Sequence, residues 1–305
     1  MRRESSTNAF ALVLAGGKGE RLMPLVRELY GVEVPKQFCQ LVGCKTLIEH
    51  ALERAALTVG IENVHVLLSA AHMRFSERVT GSLPPRSVIV QPADRGTGVA
   101  LLYALMKLAI AAPDASVVVF PADHYVSDEA LFARQVRVAL ELVEGRPEFI
   151  VMMGIVPDRV ESGYGWIEPG EHIGSDWGSA RYVKRFWEKP PREKALELFE
   201  RGALWNSFVF AGRVVTMLSQ IMVASPSTYV IFQEIREKLY TARERAAVAE
   251  AYAAVRPLNF SADVLERHGM NLVTIPVHGV EWSDLGEPSR VRAILSRQRS
   301  HTVAS

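Results

Sequence analysis

The sequence predicts an α/β protein with a mostly parallel sheet flanked by helices, and three observations carry that reading. Short β-branched runs alternate with helix-length amphipathic stretches through the first half, the pattern of βαβ units. The run VVVF at 117–120 has no polar alternation, as a central strand covered on both faces requires. A glycine-rich turn follows the first apolar strand, at the carboxyl end where open α/β sheets keep their ligand sites.

Taken in order, residues 10–14 read as the first strand and 46–57 as a helix. Strands follow at 64–68 and 87–90, then a helix at 97–111 and the buried strand at 117–120, which leaves Asp123 and His124 just past its end. From Phe149 onward the pattern loosens, and Gly163, Gly165, Gly170, Gly174 and Gly178 punctuate a set of short strands. An antiparallel insertion beside the parallel sheet is expected there. Helices return at 192–201 and 213–223, Ala-rich polar helices fill much of 228–255, and a last strand at 271–277 leads through WSDLG at 282–286 to a terminal helix. No repeat or linker interrupts this order, so a single domain over 1–305 is expected: a core at about 8–150, a second part at about 151–225 and a helical C-terminal extension at about 226–305.

With 305 residues and 49% hydrophobic content the chain can bury a large core. Its 35 Lys and Arg balance 34 Asp and Glu, so no global field exists to hold nucleic acid or an anionic membrane, and any affinity for phosphate must be local. Arg2 and Arg3 precede an apolar stretch too short for an export signal, and the longest apolar segment, 101–112, contains Lys107; both point to a cytoplasmic protein without membrane spans. Two cysteines, Cys39 and Cys44, fit reduced structural thiols rather than a disulfide framework or a zinc site.

The chemistry concentrates in loops. In LAGGKGERLMPL at 14–25, consecutive glycines allow backbone N–H groups to line an anion site, and Lys18 and Arg21 add charge. Leu22 stands where a third glycine would complete G-x-G-x-x-G, and no G-K-[ST] closes a P-loop. By itself the segment is equally a structural turn. Lys36 follows a proline in VPKQF at 34–38 and sits in a loop. Taken alone, Asp123 also fits a turn residue, Asp284 a helix cap, Lys189 a surface charge and Trp205 core packing.

The motifs GGKGERLMPL and PKQF resemble the signature of the sugar-1-phosphate nucleotidyltransferase family, with PKQF similar to its mannose-1-phosphate guanylyltransferase branch. The series continues in the family's order with QPADRGTG at 91–98, FPADH at 120–124, ESGYGWI at 161–167, FWEKP at 186–190, WNSFVF at 205–210 and WSDLG at 282–286. The resemblance implies a Rossmann-like nucleotide-diphospho-sugar transferase fold, with a nucleotide-binding core followed by a sugar-binding part. It implies that Leu14, Gly16, Gly17, Gly19, Gln91, Gly96 and Thr97 bind the nucleotide. Arg21 would grip the β- and γ-phosphates, Lys36 would lie by the transferring phosphate, and Lys189 would bind the sugar phosphate. Tyr164, Gly165, Glu188 and Asn206 would contact the sugar, and Asp123 and Asp284 would share one Mg²⁺. The substrates so implied are GTP and mannose-1-phosphate, giving GDP-mannose and pyrophosphate, and a homodimer is compatible with the family.

That reaction needs no general base, because the attacking phosphate oxygen is already ionised; it needs relief of repulsion between two polyanions and a fixed geometry. His124 is therefore read as a structural hydrogen-bonding residue. Three places depart from the family pattern: Phe208 stands where a glycine is usual, Gly98-Val99 where Ala-Pro is common, and Ser261 near an expected acid. Another NTP and hexose-1-phosphate pair, or a non-catalytic nucleotide-sugar-binding relative, are the competing readings.

Overall fold

The computed structural model describes residues 8–81 and 83–303; Arg2 and Arg3 lie outside them. Eleven strands are found among the described residues: β1 Ala9–Ala15, β2 Val64–Ser69, β3 Val88–Gln91, β4 Ser116–Pro121, β5 Tyr125–Val126, β6 Ile150–Ile155, β7 Trp166–His172, β8 Arg181–Trp187, β9 Leu204–Arg213, β10 Leu272–Val277 and β11 Trp282–Ser283. The α-helices are α1 Met23–Tyr30, α2 Leu47–Val59, α3 Glu77–Thr80, α4 Thr97–Ala111, α5 Glu129–Gly145, α6 Arg192–Glu200, α7 Val214–Ala224, α8 Pro226–Glu234, α9 Glu244–Ala254 and α10 Pro288–Val303.

Nine strands form one sheet in the order β3-β2-β1-β4-β9-β6-β10-β8-β7. The β3-β2-β1-β4 half is parallel, as the βαβ pattern predicts, and β10 pairs parallel with β6. Strand β9 runs antiparallel between β4 and β6 through the middle of the sheet. The glycine-punctuated insertion folds as the antiparallel pair β7–β8. It does not stand beside the sheet as a separate flap but extends it, because β8 pairs with β10 and β7 also pairs with β9.

Helices cover both faces of the sheet. On one face α2 and α5 bury Ile48, Ala51, Phe132 and Val136; on the other, α4, α7, α8 and α9 bury residues such as Leu101, Met217, Phe232 and Tyr252. Helix α2 starts on a capping box between Thr46 and Glu49, and α5 on Asp128, whose carboxylate accepts the Leu131 N–H at 2.8 Å. Helix α4 is buried nearly all round, which explains a sequence that is apolar but for Lys107 after its first turn. A third, smaller core joins Leu22, Leu25 and Val26 to Leu285, Val291 and Ile294, so that α10 packs beneath the glycine loop.

Cys39 is buried, and burial pushes its thiol up to about 11; Cys44 is exposed, so only the first is a core thiol. Among the described residues no helix is long and apolar enough to cross a membrane.

Candidate active site

A two-residue ladder organises the site. β5 and β11 pair antiparallel, with Ser283 opposite Tyr125 and Trp282 opposite Val126, and this brings the segment before Tyr125 alongside the segment after Ser283. Asp123 and Asp284, 161 positions apart in sequence, therefore face the same space. Both line two adjoining cavities of about 430 Å³ and about 480 Å³, and stand at their junction.

The first cavity opens beyond the carboxyl ends of β1, β2 and β3, and Leu14, Gly16, Gly17, Gln91, Gly96 and Thr97 line one half of it. Its other half is lined by Tyr164, Gly165, Glu188, Lys189 and Asn206. The second cavity takes Gly19, Arg21 and Lys36, together with Lys18. Every site residue expected from the sequence thus borders one cavity or the other.

Close packing explains two of the glycines, Gly16 and Gly96. A Cβ on Gly16 would lie 2.3 Å from Gln91 Nε2, and one on Gly96, at φ +83°, would lie 2.4 Å from the Leu258 carbonyl oxygen. The glycine loop is fixed from below by Gln37, 2% exposed, whose Nε2 donates to the carbonyls of Ala15 at 3.1 Å and Gly17 at 2.8 Å. Gln37 lies within PKQF, and sequence reasoning missed it because a polar residue in a loop gives no sign of being buried. Gln91 accepts from the Tyr252 hydroxyl at 3.3 Å, and Thr97 Oγ1 accepts the Phe260 N–H at 3.0 Å, so the C-terminal extension closes this half of the cavity.

Lys36 lies deeper than a phosphate-seeking surface lysine would. Its ammonium is within 3.1 Å of Asp123 Oδ2 and donates to the carbonyls of Asp284 at 2.8 Å and Leu285 at 3.2 Å. All three N–H groups thus have protein acceptors, and Lys36 ties both aspartate segments together. Arg21 is exposed, and Lys189 pairs at 3.2 Å with the neighbouring Glu188.

Asp284 accepts the Gly286 N–H at 2.8 Å and an N–H of Arg290 at 2.7 Å, both on Oδ1. Burial pushes its carboxyl up, but the nearby His124 and Arg290 charges and these hydrogen bonds outweigh that and hold it below the usual range. No group of three or more His, Cys, Asp or Glu residues suited to a metal occurs among the described residues. Two carboxylates bordering both cavities nonetheless fit a hard divalent ion, which one or two protein carboxylates can hold while substrate oxygens complete the shell.

His124 departs from its expected role. Its Nδ1 is buried with no hydrogen-bond partner, its Nε2 stands 3.7 Å from Asp123, and its ring packs edge-on against Trp282 at 5.3 Å. It is a packing residue more than a hydrogen-bonding one, and burial pushes its pKa down to about 4. The Tyr164 ring packs at 5.0 Å from both Trp205 and Trp282, so it forms wall rather than a free sugar-binding arm. Burial raises its hydroxyl pKa to about 12. Trp205 is core, as its residue type suggests.

Backbone strain gathers here. Of five non-glycine residues at positive φ among the described residues, Lys189 (47°) and Phe208 (57°) line the first cavity, and Leu285 (46°) directly follows Asp284. Such conformations persist where surrounding structure enforces them, often at functional sites. The Phe208 ring fills space beside Asn206 and Ser261, packing edge-on against Phe210 at 5.6 Å.

Known proteins resemble this chain along most of its length. It is 29% identical over 301 residues to the mannose-1-phosphate guanylyltransferase RfbM of Salmonella typhimurium, covering 96% of this chain and 60% of that protein. The alginate biosynthesis protein AlgA of Pseudomonas putida is 28% identical, with 90% of this chain and 56% of that one covered. The chain therefore spans less than two thirds of the length of these curated relatives. Among solved structures, the mannose-1-phosphate geranyltransferase of Thermus thermophilus superposes with a TM-score of 0.79 at 28% identity, over 95% of this chain and 80% of that one. A putative glucose-1-phosphate thymidylyltransferase from Bacillus anthracis shares the fold at a TM-score of 0.57 and 17% identity, over 95% of each chain. Residues 10–299 match the Nucleotidyl transferase family, and the chain belongs to it.

Proposed function

We propose that this protein transfers a nucleotidyl group from an NTP to a sugar-1-phosphate and releases pyrophosphate, with GTP and mannose-1-phosphate as the first pair to test. The observation that carries this reading is the β5–β11 ladder, which sets Asp123 and Asp284 at the junction of a cavity suited to a nucleoside and sugar and a cavity ringed by Lys18, Arg21 and Lys36. Two polyanionic reactants can meet there with their repulsion screened.

In this reading the glycine loop and the α4 N-terminus hold the nucleotide, Gln91 and Thr97 bordering the base. Arg21 and Lys18 take the leaving pyrophosphate side. Lys189 faces the sugar phosphate, and Glu188, Asn206 and the backbone at Tyr164 and Gly165 orient the sugar. Lys36 keeps the two aspartates in register beside the transferring phosphate. A divalent ion, Mg²⁺ first, held by Asp123 and Asp284 would supply charge neutralisation at the α-phosphate. An oxygen of the sugar phosphate attacks the α-phosphorus as the bond to the pyrophosphate oxygen breaks, and no proton need move.

A second pair of substrates is favoured by one observation: Phe208 and Ser261 reshape the wall next to Asn206. The experiment is incubation with mixed NTPs, mixed hexose-1-phosphates and Mg²⁺, with products identified by mass spectrometry. GDP-mannose is expected from the wild type, and Asp123→Asn should cut its formation by about 100-fold or more. Absence of any nucleotide sugar with every pair would refute the catalytic reading.

A further inference from the structure

Arg290 belongs to none of the motifs and borders neither cavity of the site, yet it touches two of the site's walls at once. Its side chain is 8% exposed, Nη1 donates to Asp284 Oδ1 at 2.7 Å, and Nη2 lies 3.2 Å from Glu161 Oε1. The same Glu161 oxygen accepts the Gly163 N–H at 2.9 Å, and the guanidinium carbon stands 4.2 Å over the Tyr164 ring. A Cβ at Gly163 would come within 2.6 Å of Arg290 Nη2, so the glycine admits the guanidinium directly beneath the loop backbone.

We propose that Arg290 is a positioning residue that sets the sugar-facing loop at 161–165 against the Asp284 turn, so that the sugar-1-phosphate subsite forms only with α10 docked. This rests on the nucleotidyltransferase reading above. Before β7 begins at Trp166 the loop meets the sheet through one backbone bond near its end, from the Asn206 N–H to the Gly165 carbonyl at 2.8 Å; upstream of that it is held by side chains, with Trp166 Nε1 donating to the Glu161 carbonyl at 2.8 Å and Arg290 engaging the Glu161 carboxylate. A planar guanidinium can engage two carboxylates and stack on a ring in one fixed arrangement, and three objects are thereby locked relative to one another. An ammonium at the same place reaches one carboxylate and stacks poorly, which makes Arg290→Lys as informative as removal of the charge. A plain docking role for α10 would predict lost stability without selectivity between substrates. The contacts above predict selectivity, because Gly163 and Tyr164 border the sugar-facing half of the cavity, whereas Asp284 keeps the Gly286 N–H and the hold of Lys36 on its carbonyl, and the glycine loop keeps Gln37.

The test compares Arg290→Met, Arg290→Lys, Glu161→Gln and the control Ile294→Ala, which removes a buried side chain from the same helix. Loss of such an orienting contact typically costs about 10- to 100-fold, so KM for mannose-1-phosphate should rise by that factor in both Arg290 variants while KM for GTP stays within about 3-fold. Glu161→Gln should shift the same KM in the same direction by less. Ile294→Ala should lower Tm without splitting the two KM values. Deuterium exchange supplies a readout that needs no substrate: amides of Gly163 and Tyr164 should exchange faster in Arg290→Met and Arg290→Lys and at the wild-type rate in Ile294→Ala. Equal rises in both KM values, or unchanged exchange at 161–165 in the Arg290 variants, would overturn the proposal. A wild type that turns over no NTP and hexose-1-phosphate pair would instead sink the reading of function, and the exchange measurement would still decide whether Arg290 orders the loop.

Discussion

Replacing Lys107 with Met tests whether the C-terminal helices fold as one unit with the sheet. The Lys107 side chain on α4 is 7% exposed; its ammonium is ion-paired with Glu244 of α9 and lies 4.0 Å over the Tyr240 ring. Glu244 also accepts the Tyr103 hydroxyl at 2.7 Å and the Tyr240 N–H at 2.6 Å. In the variant these two bonds remain, but a carboxylate 18% exposed loses its counter-ion. Removing one partner of a buried pair costs about 3–5 kcal/mol, and the surviving hydrogen bonds place this case near about 3 kcal/mol. An unfolding entropy of about 2.1 cal/mol/K per residue over 305 residues converts that into a Tm lowered by about 5 °C. The pH dependence has a definite sign. Burial pushes the Glu244 carboxyl up, yet hydrogen bonds from Lys107 and Tyr103 prevail and hold its pKa below the usual range. A depressed folded pKa contributes stability above the unfolded pKa that is lost as pH falls through the folded one. The variant has less of that contribution to lose, so the gap between the two proteins should narrow below about pH 4.5. Guanidinium unfolding should be followed by tryptophan fluorescence, since none of the five tryptophans lies on α8 or α9, and by far-UV circular dichroism, which sees those helices. Coincident transitions are expected for one cooperative domain. A Tm change under about 1 °C, separate transitions, or a gap that widens in acid would refute the reasoning.

Three further outcomes follow from the same geometry. Gln37→Leu strips hydrogen bonds from the Ala15 and Gly17 carbonyls, and steady-state kinetics should show KM for the NTP raised about 10-fold with KM for the sugar phosphate little changed. Gly96→Ala forces a side chain into a left-handed position and against the Leu258 carbonyl, costing at least about 1–2 kcal/mol in thermal unfolding and weakening nucleotide binding by calorimetry. Burial, helped by Lys107, lowers the His65 pKa to about 4, so its NMR resonances should not titrate above pH 5. Because that folded pKa lies below the unfolded one, stability should be complete above about pH 6.5 and fall by up to about 3 kcal/mol towards pH 4, a slope that His65→Gln flattens.

Periodicity made much of the fold legible in the sequence. The strands at 10–14, 64–68 and 117–120 and the helix at 97–111 appear within a residue or two of their places, because each is apolar enough to announce two-sided burial. β9 was not legible as a central antiparallel strand. Its segment carries the WNSFVF motif, and nothing local to it encodes that β4 and β6 flank it. β5 and β11 are two residues each, too short for any period to register, although their pairing joins the two aspartates. The aspartates themselves are legible through motif order alone. α5 was not placed from the sequence: its amphipathic pattern and its cap Asp128 are local signals, but they fall between FPADH and the glycine-punctuated segment, where no motif draws on them. Arg290 gives no signal at all, since its partners Glu161 and Tyr164 lie more than a hundred positions away and meet it only through tertiary folding.

The strained residues show why the site needs the whole chain around it. Leu285 at φ 46° is fully buried in the small core beneath the glycine loop, and its left-handed turn follows the two carbonyls' approach to Lys36. A leucine in that conformation costs about 1–2 kcal/mol, and burial of its side chain is of the right size to offset it, at about 1.5–3 kcal/mol. Phe208 meets the same problem differently: its N–H donates to Asn206 Oδ1 at 3.0 Å and its ring rests on Phe210, which stacks on Phe260 at 4.9 Å. Phe260 in turn donates its N–H to Thr97. The bend at Asn206 in the second half of the first cavity is therefore held by a segment of the C-terminal extension that also closes the first half. An insertion or truncation that loosened 258–261 should disturb both halves together, whereas Arg290→Met, which leaves the α10 side chains Val291 and Ile294 in place beneath the glycine loop, should act on one half alone.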